Sequence, residues 1–305
     1  MASVLLPTHR WTPSCAALAD QLGADDELLV LCDAPDDPVA RDPPEPPTTG
    51  TLTVVPTGEP TAGSGKAHAL AVGLERASQP LVVMTDDDVP RSSDWLARLE
   101  DVAEERVAAS VTPVFIGDDP TWWLVEPATV LLVSAPFCRY GGAWGGGVAF
   151  DRRALDESRL RRDLERTVSD DALLWTALDG VYTTTDLVDA VPVDGERERL
   201  RDRLTRWVLT FRFFLPRATL AAWALCCALW AAAIVAPLAT TLVTTAVALV
   251  VYRYLGVDRW TWLLALPSLL VFPFVLTRAW LDPTFRWGGR RYRWTGRFDV
   301  AVLAD

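Results

Sequence analysis

The sequence predicts an α/β protein in which a mainly parallel sheet, covered by helices, is followed by an α-helical membrane region. Three observations carry that expectation. Short apolar runs alternate with amphipathic stretches over residues 1–190. From Ala218 to Tyr252 no charged side chain occurs for 35 residues. The net charge of −11 is also unevenly divided: ten arginines face four aspartates from Phe211 onward, about +6, which leaves about −17 for residues 1–210. An acidic part joined to a basic apolar part argues against nucleic acid as the main partner and suits a domain held at a membrane.

In order along the chain, SVLLP reads as a strand, residues 13–22 as a helix, and ELLVLCD as a second buried strand. The proline-rich loop 34–48 is given no structure, and TLTVVPT is a third strand. After Gly65, KAHALAVGLERA places Ala67, Leu70, Ala71 and Leu74 on one helical face. LVVMTD is a fourth strand, and SSDWLARLEDVAEE an amphipathic helix opened by a serine cap. The glycine-rich GGAWGGGVAF (141–150) leads into a short strand and then a helix beginning DRRALDE. SDDALLW (169–175) is a helix start with Ser169 as cap.

The run ERERLRDRLTRWVLTFRFFLPR turns from charged to amphipathic, with Trp207, Phe211, Phe213 and Phe214 between arginines, and suits a helix in the membrane interface, or else a plain linker helix with snorkelling arginines. One helix over the uncharged 35 residues would be ~52 Å long at ~1.5 Å per residue, beyond a ~30 Å hydrocarbon core. Pro237 divides it into a hairpin, and Trp262 to Thr277 is a further apolar block containing Pro267 and Pro273. Three crossings would put Arg286, Arg290, Arg291, Arg293 and Arg297 outside, against the positive-inside tendency. Two or four crossings, or a re-entrant segment, return this tail to the inside, where it is expected. The expected layout is a catalytic domain over 1–200, an interfacial helix over 201–217, membrane helices over 218–281 and an arginine-rich tail over 282–305.

Lys66 is the only lysine, and heavy Asp/Glu use with arginine as the remaining base suggests a halophilic cytoplasm. Five cysteines without C-x-x-C spacing read as small buried residues in a reducing compartment. Two histidines are too few for a zinc cluster. No signal peptide is expected, since SVLLP is too short for an h-region.

TAGSGKAHAL (61–70) imitates a phosphate loop, but the spacing excludes it. The first required glycine falls on Pro60, which has no N–H, and the metal-binding hydroxyl position is Ala67. The chemistry lies elsewhere. MTDDDVP puts three carboxylates at a strand end, where a hard divalent cation held by one or two carboxylates and by substrate phosphates is the simplest occupant. A solvated acidic turn is the alternative. In SDDALLW one acid is placed for general-base work, or both merely complement the helix dipole. Five glycines within 141–147 let backbone approach a ligand closely, or form a connecting loop.

The order of these pieces carries more than any one of them. PTHR after the first strand, an Asp after the second, G-K-A-x-A-L, the acidic triplet, a Gly-rich segment, a paired acid and R-x-x-R-W before the spans resemble the family 2 glycosyltransferases, in their ceramide-glucosyltransferase-like membrane branch. The resemblance runs from Ser3 to Trp207, and the tail RWGGRRYRW is similar to a basic segment of those lipid enzymes. It implies a GT-A type, Rossmann-like catalytic domain. Pro7 and Thr8 would border the nucleotide base and Asp33 would contact it. Lys66 would lie beside the nucleotide, with Asp87, Gly145 and Gly146 among the substrate-binding residues. Asp86 and Asp88 would form the D-x-D pair on Mg²⁺ or Mn²⁺. Asp171 would be the base toward the acceptor hydroxyl, though DD replaces the family's usual ED, so Asp170 and Asp171 are interchangeable at this point. Arg203, Arg206 and Trp207 would lie near diphosphate and acceptor. The implied activity is inverting transfer of a sugar from a nucleotide-sugar donor to a lipid acceptor by a multi-pass cell-membrane protein with its catalytic domain in the cytoplasm. The alternatives are a polyprenyl-phosphate sugar or polysaccharide synthase, and a non-catalytic nucleotide-sugar-binding protein. The donor, the acceptor and the oligomeric state are left open.

Overall fold

Each short apolar run of the acidic half becomes a strand, because a strand buried on both faces carries no polar alternation. The computed structural model describes residues 1–303. In chain order, β1 (Ala2–Pro7), α1 (Pro13–Ala19), β2 (Glu27–Cys32), α2 (Pro38–Arg41), β3 (Thr51–Pro56) and α3 (Gly65–Arg76) come first. They are followed by β4 (Leu81–Thr85), α4 (Trp95–Arg106), β5 (Ala108–Ser110) and β6 (Thr112–Ile116). Helical turns α5 (Pro120–Trp123), α6 (Glu126–Thr129) and α7 (Ala135–Tyr140) precede β7 (Gly147–Asp151), α8 (Glu157–Leu164), α9 (Asp170–Ala177) and β8 (Val188–Pro192). Then come α10 (Arg197–Phe214), α11 (Pro216–Val235), α12 (Pro237–Tyr254) and α13 (Ala265–Leu281). The strands β9 (Thr284–Trp287), β10 (Arg290–Gly296) and β11 (Asp299–Leu303) close the described chain.

The chain divides into two units, the first comprising Met1–Val111, Gly141–Thr183 and Phe298–Val300. Its six-stranded sheet has the order β3-β2-β1-β4-β7-β5. The first four strands are parallel, and β7 runs antiparallel to both β4 and β5. This is the expected α/β class with a mainly parallel sheet. Val4, Leu5 and Leu6 in the centre are completely buried, whereas the edge strand β3 is largely exposed. In α3 the residues Ala67, Leu70, Ala71 and Leu74 are buried, as the helical spacing predicts. Connections reverse direction between β1 and β4, so the carboxyl ends of β1, β2 and β4 meet at the switch point where open sheets take ligands.

Three local expectations are corrected. Asp94, not a serine, precedes α4, and it makes no capping bond; the Ser92 hydroxyl donates instead to the adjacent Asp94 carboxylate at 2.5 Å. The first N–H of α4, on Trp95, donates to the Ser92 carbonyl at 3.2 Å instead of to a side chain. The loop 34–48 contains one helical turn, α2, nucleated by Pro38 at its first position and an Asp37 carboxylate that accepts from Ala34 N–H at 2.9 Å. DRRALDE does not open a continuous helix: Asp151 and Asp156 each cap their own short element, a 3-10 turn over Arg152–Ala154 and α8. The strand β5 was not anticipated, since AAS carries no strand pattern.

The second unit comprises Thr112–Tyr140, Thr184–Arg297 and the chain from Ala301 onward. In it β6 and β8 pair in parallel, and β9 and β10 form an antiparallel hairpin. The helices α11 and α12 break at Ala236–Pro237, where the sequence places the hairpin. They fold back on each other, since Leu229 and Ala232 line one crevice with Thr240, Val243 and Thr244. Three stretches, Pro216–Val235, Pro237–Tyr254 and Trp260–Leu281, are long and apolar enough to cross a membrane.

Both ends of α13 are tied to elements outside the α11–α12 hairpin. At its start, the fully buried Glu126 accepts from Thr261 Oγ1 and, at 3.1 Å, from Arg259 Nε, and Ser268 Oγ accepts from Ala128 N–H at 2.9 Å. At its end, the Arg212 guanidinium of α10 lies 5.8 Å from the Trp280 ring. The β9–β10 hairpin also covers α10: Arg206 sits 4.1 Å over Trp287, and Phe213 meets Trp294 edge-on at 5.2 Å.

The first unit contains a pH-sensitive carboxyl away from the switch point. Burial, with Asp26, Glu104 and Asp101 nearby, pushes Glu100 on α4 up to about 7 from 4.5. A folded-state pKa above the unfolded one stabilises at low pH and is lost as pH rises, here between 4.5 and about 7. Thermal unfolding across that range should therefore show stability falling toward neutrality, and Glu100→Gln should flatten the fall. An unchanged slope in the variant would refute this.

Candidate functional site

The site is assembled where two helix N-termini face the acidic turn after β4. Ser64 caps α3 by accepting from Ala67 N–H at 3.1 Å, and its own hydroxyl donates to Val168 O at 3.2 Å. Ser64 N–H also donates to Thr167 O at 2.9 Å. These bonds stitch the start of α3 to the residues before α9, whose cap, Ser169, accepts from Ala172 N–H. Lys66 and the pair Asp170–Asp171 thereby sit in the first turns of neighbouring helices. Two carboxylates in the first turn of α9 also suit its positive dipole end.

Lys66 Nζ lies 2.7 Å from Asp86 Oδ1 and 3.0 Å from Asp170 Oδ2, and it donates to Gly145 O at 3.4 Å. Burial alone would lower the lysine pKa, but Asp170 and Asp86 outweigh it and hold the ammonium charged far above its usual range. A Cβ on Gly145 would strike Asp170 Oδ2 and come within 2.6 Å of Lys66 Nζ, so only glycine admits this ion cluster. Gly146 contributes its carbonyl, which accepts from Thr85 Oγ1 at 2.8 Å.

Burial pushes the Asp86 carboxyl up to about 6; Lys66 pulls it back, while Asp88 and Asp170 add to the rise. Burial and the neighbouring Asp170 also raise Asp171, against hydrogen bonds from Ser169 Oγ and, at 2.7 Å, from Ala172 N–H. Asp170 is buried, whereas Asp171 is partly exposed. The Lys66 ammonium beside Asp86, Asp170 and Asp171, with the Arg91 guanidinium near Asp86, Asp87 and the exposed Asp88, gives two cations to five carboxyl groups, which leaves the cluster short of positive charge. Among the described residues no three His, Cys, Asp or Glu side chains form a ready metal cage. Asp86 and Asp88 offer two hard oxygen donors, and the surplus of carboxyl groups around them fits a divalent ion that would complete its shell with phosphate oxygens and water.

The remaining expected residues divide into two groups. Pro7 ends β1, Thr8 follows it, and Asp33 follows β2, so all three lie at carboxyl ends of the sheet. Thr8 Oγ1 donates to Asp87 Oδ2 at 2.5 Å and Thr12 Oγ1 to Asp87 O at 2.9 Å, so Asp87 ties the β1 and β4 loops together. Arg203, Arg206 and Trp207 belong to the second unit, on α10. There Trp207 packs on Phe115 at 4.3 Å, and Arg203 lies 6.0 Å from the Trp207 ring.

Arg91 escaped the sequence reading. Its guanidinium donates to Thr85 Oγ1 at 2.6 Å, to Asp86 O, and to Ser14 O at 3.1 Å, and it lies 5.1 Å from the Trp95 ring. It holds the acidic turn from behind. No signal marks it, because an arginine after D-D-D-V-P looks like any loop residue. The signal for Ser64 is its cap chemistry immediately before a helix.

No protein-family model matches the chain, and no curated protein matches it by sequence. Solved structures are similar at low identity. Glucosyl-3-phosphoglycerate synthase from Mycobacterium tuberculosis, in complex with Mn²⁺, UDP and glucosyl-3-phosphoglycerate, is 18% identical with a TM-score of 0.40, covering 70% of this chain and 78% of that one. The same enzyme with Mn²⁺, UDP-glucose and phosphoglyceric acid is 15% identical with a TM-score of 0.41, over 70% and 78% of the two chains. S. aureus TarS is 15% identical with a TM-score of 0.41, covering 69% of this chain and 39% of that one.

Removing Lys66 leaves buried carboxylates facing one another. Lys66→Met should cost about 3–5 kcal/mol in metal-free thermal unfolding, and adding Asp170→Asn should restore part of it. Equal stability of Lys66→Met and the parent would show that the ammonium does not hold the cluster.

Proposed function

We propose that the chain is a membrane-bound inverting glycosyltransferase that moves a sugar from a nucleotide-diphosphate sugar to a lipid hydroxyl. The observation that supports it best is the convergence of Lys66, Asp86 and Asp170, with Asp171 beside them, at the switch point of a parallel sheet. Asp171, partly exposed and raised in pKa, takes the acceptor proton. The acceptor oxygen then bonds the anomeric carbon as the bond to the diphosphate oxygen breaks, and one displacement inverts the centre. Asp86 and Asp88 would hold Mg²⁺ or Mn²⁺, which supplies charge neutralisation of the leaving diphosphate. Asp170 stays paired with Lys66 and positions that ammonium beside the donor. Arg203, Arg206 and Trp207 keep the diphosphate and acceptor roles that the family resemblance assigns.

The test is transfer of label from a panel of radiolabelled nucleotide sugars into the organic phase, with lipid extract, Mn²⁺ and high salt. Asp171→Asn should lower turnover by about 10²–10⁴-fold while donor binding persists. Donor binding without transfer by the parent protein would favour a non-catalytic binding protein. Label found only in water-soluble polymer would favour a polysaccharide synthase.

We further propose that α11 and α12 cross the membrane, that α13 lies along its surface, and that the catalytic side and the arginine tail are cytoplasmic. The support is that elements before and after the three apolar stretches pack together: α10 carries Arg206 and Phe213 against Trp287 and Trp294. Three full crossings would separate them. The hairpin tip is also bare, with Val235 84% and Leu238 72% exposed. Single cysteines at Leu238 and Thr295 should react with an impermeant maleimide from opposite sides of the membrane, with Arg199→Cys on the Thr295 side. Labelling of positions 199 and 295 from opposite sides would overturn this topology.

A further inference from the structure

The β9–β10 hairpin has two unlike faces. Its register sets Tyr292 opposite Phe285 and Arg290 opposite Trp287, and this aromatic face packs on α10 through Trp287 and Trp294. On the other face Arg291 stands directly opposite Arg286, and Arg293 opposite Thr284. Side chains two apart on a strand share a face, so Arg286, Arg291 and Arg293 form one cluster. All three are exposed. Among the described residues the side chains of Arg291 and Arg293 have no hydrogen bond or ion pair.

Like charges directly opposite one another on antiparallel strands are destabilising. The fold accepts this pairing because Gly288 and Gly289, with φ of 56° and 75°, fix a tight turn that sets the register. Slipping by one residue would expose the aromatics and bury the arginines. An external anion held by Arg291 and Arg293 would relieve that repulsion. The position of the hairpin identifies which. Two residues separate Thr284 from the end of α13 at Leu281, and Trp294 contacts Phe213, three residues before the first apolar stretch begins at Pro216.

We propose that the Arg286–Arg291–Arg293 face docks on anionic phospholipid headgroups of the membrane that the chain spans. Three guanidiniums held at fixed spacing on a strand pair, at the level where the apolar helices begin, match a plane of lipid phosphates. This surface is separate from the sugar-transfer proposal and its test does not depend on activity.

The full chain would be reconstituted in nanodiscs of phosphatidylcholine with one fifth phosphatidylglycerol, and the lipid retained after mild detergent extraction would be counted by native mass spectrometry. The parent should retain phosphatidylglycerol over phosphatidylcholine, and the R286Q/R291Q/R293Q variant should lose about fivefold or more of that enrichment. The R286K/R291K/R293K variant should keep most of it, which separates charge from misfolding. Equal enrichment in the parent and the glutamine variant would overturn the proposal. So would displacement of phosphatidylglycerol by millimolar inorganic pyrophosphate, which would make the face a site for soluble phosphate. Unchanged retention with pyrophosphate present supports the lipid surface.

Discussion

Lys66 is the only lysine in 305 residues, and its ammonium is shared by Asp86 at 2.7 Å and Asp170 at 3.0 Å. Net stabilisation from such a group is small, because a gain of about 4 kcal/mol per close pair is set against several kcal/mol to desolvate each ion. Its effect is geometric. The strand end after β4, the glycine loop before β7 and the first turn of α9 supply partners in three directions around one nitrogen. A compact ammonium with three donors meets them from a single nitrogen, whereas a guanidinium spreads its donors over a plane. That explains a lysine here in a chain that otherwise uses arginine.

The second unit is organised by a different constraint, the need to satisfy polar groups beside apolar helices. Glu126 is completely buried and is kept there by Thr261 and by Arg259, which also donates to Gly117 O. This knot fixes the start of α13, while stacking of arginines on tryptophans fixes α10 to the tail beyond its end. Arginine suits that second task, since its flat, weakly hydrated cation lies on an aromatic face. The Lys66 ammonium thus acts as a point charge among carboxylates, whereas Arg206 and Arg212 lie as plates beside rings.

Strands and long helices were legible because their signal is local. SVLLP, ELLVLCD and LVVMTD announce burial on both faces, and the Ala236–Pro237 break follows from the uncharged length around it. What stayed hidden depends on competition between neighbours. Asp94 takes the cap position expected of a serine while Ser92 donates to its carboxylate, and Asp151 and Asp156 split one expected helix into a turn and α8. The grouping of residues 112–140 with the apolar helices is likewise invisible in sequence, since it rests on contacts such as Glu126 with Arg259, 133 positions away. At the site, the carboxylates and Lys66 could be named from their order alone. Their mutual distances, the reason for Gly145, and the clamp by Arg91 required the fold.

Charge division between the two halves now has a physical reading. In about 1 M salt the Debye length falls to roughly 3 Å, and fields from the net charge no longer act across the molecule. Only contacts near or below that distance retain their strength. The Lys66 cluster, at 2.7 and 3.0 Å, meets the condition, and so would a phosphate oxygen in direct contact with Arg291 or Arg293. The surplus of acid in one unit and of base in the other thus adds little long-range attraction or repulsion. Contact geometry then decides what each unit binds, which under the proposals above is a hard cation in the first and an anion in the second.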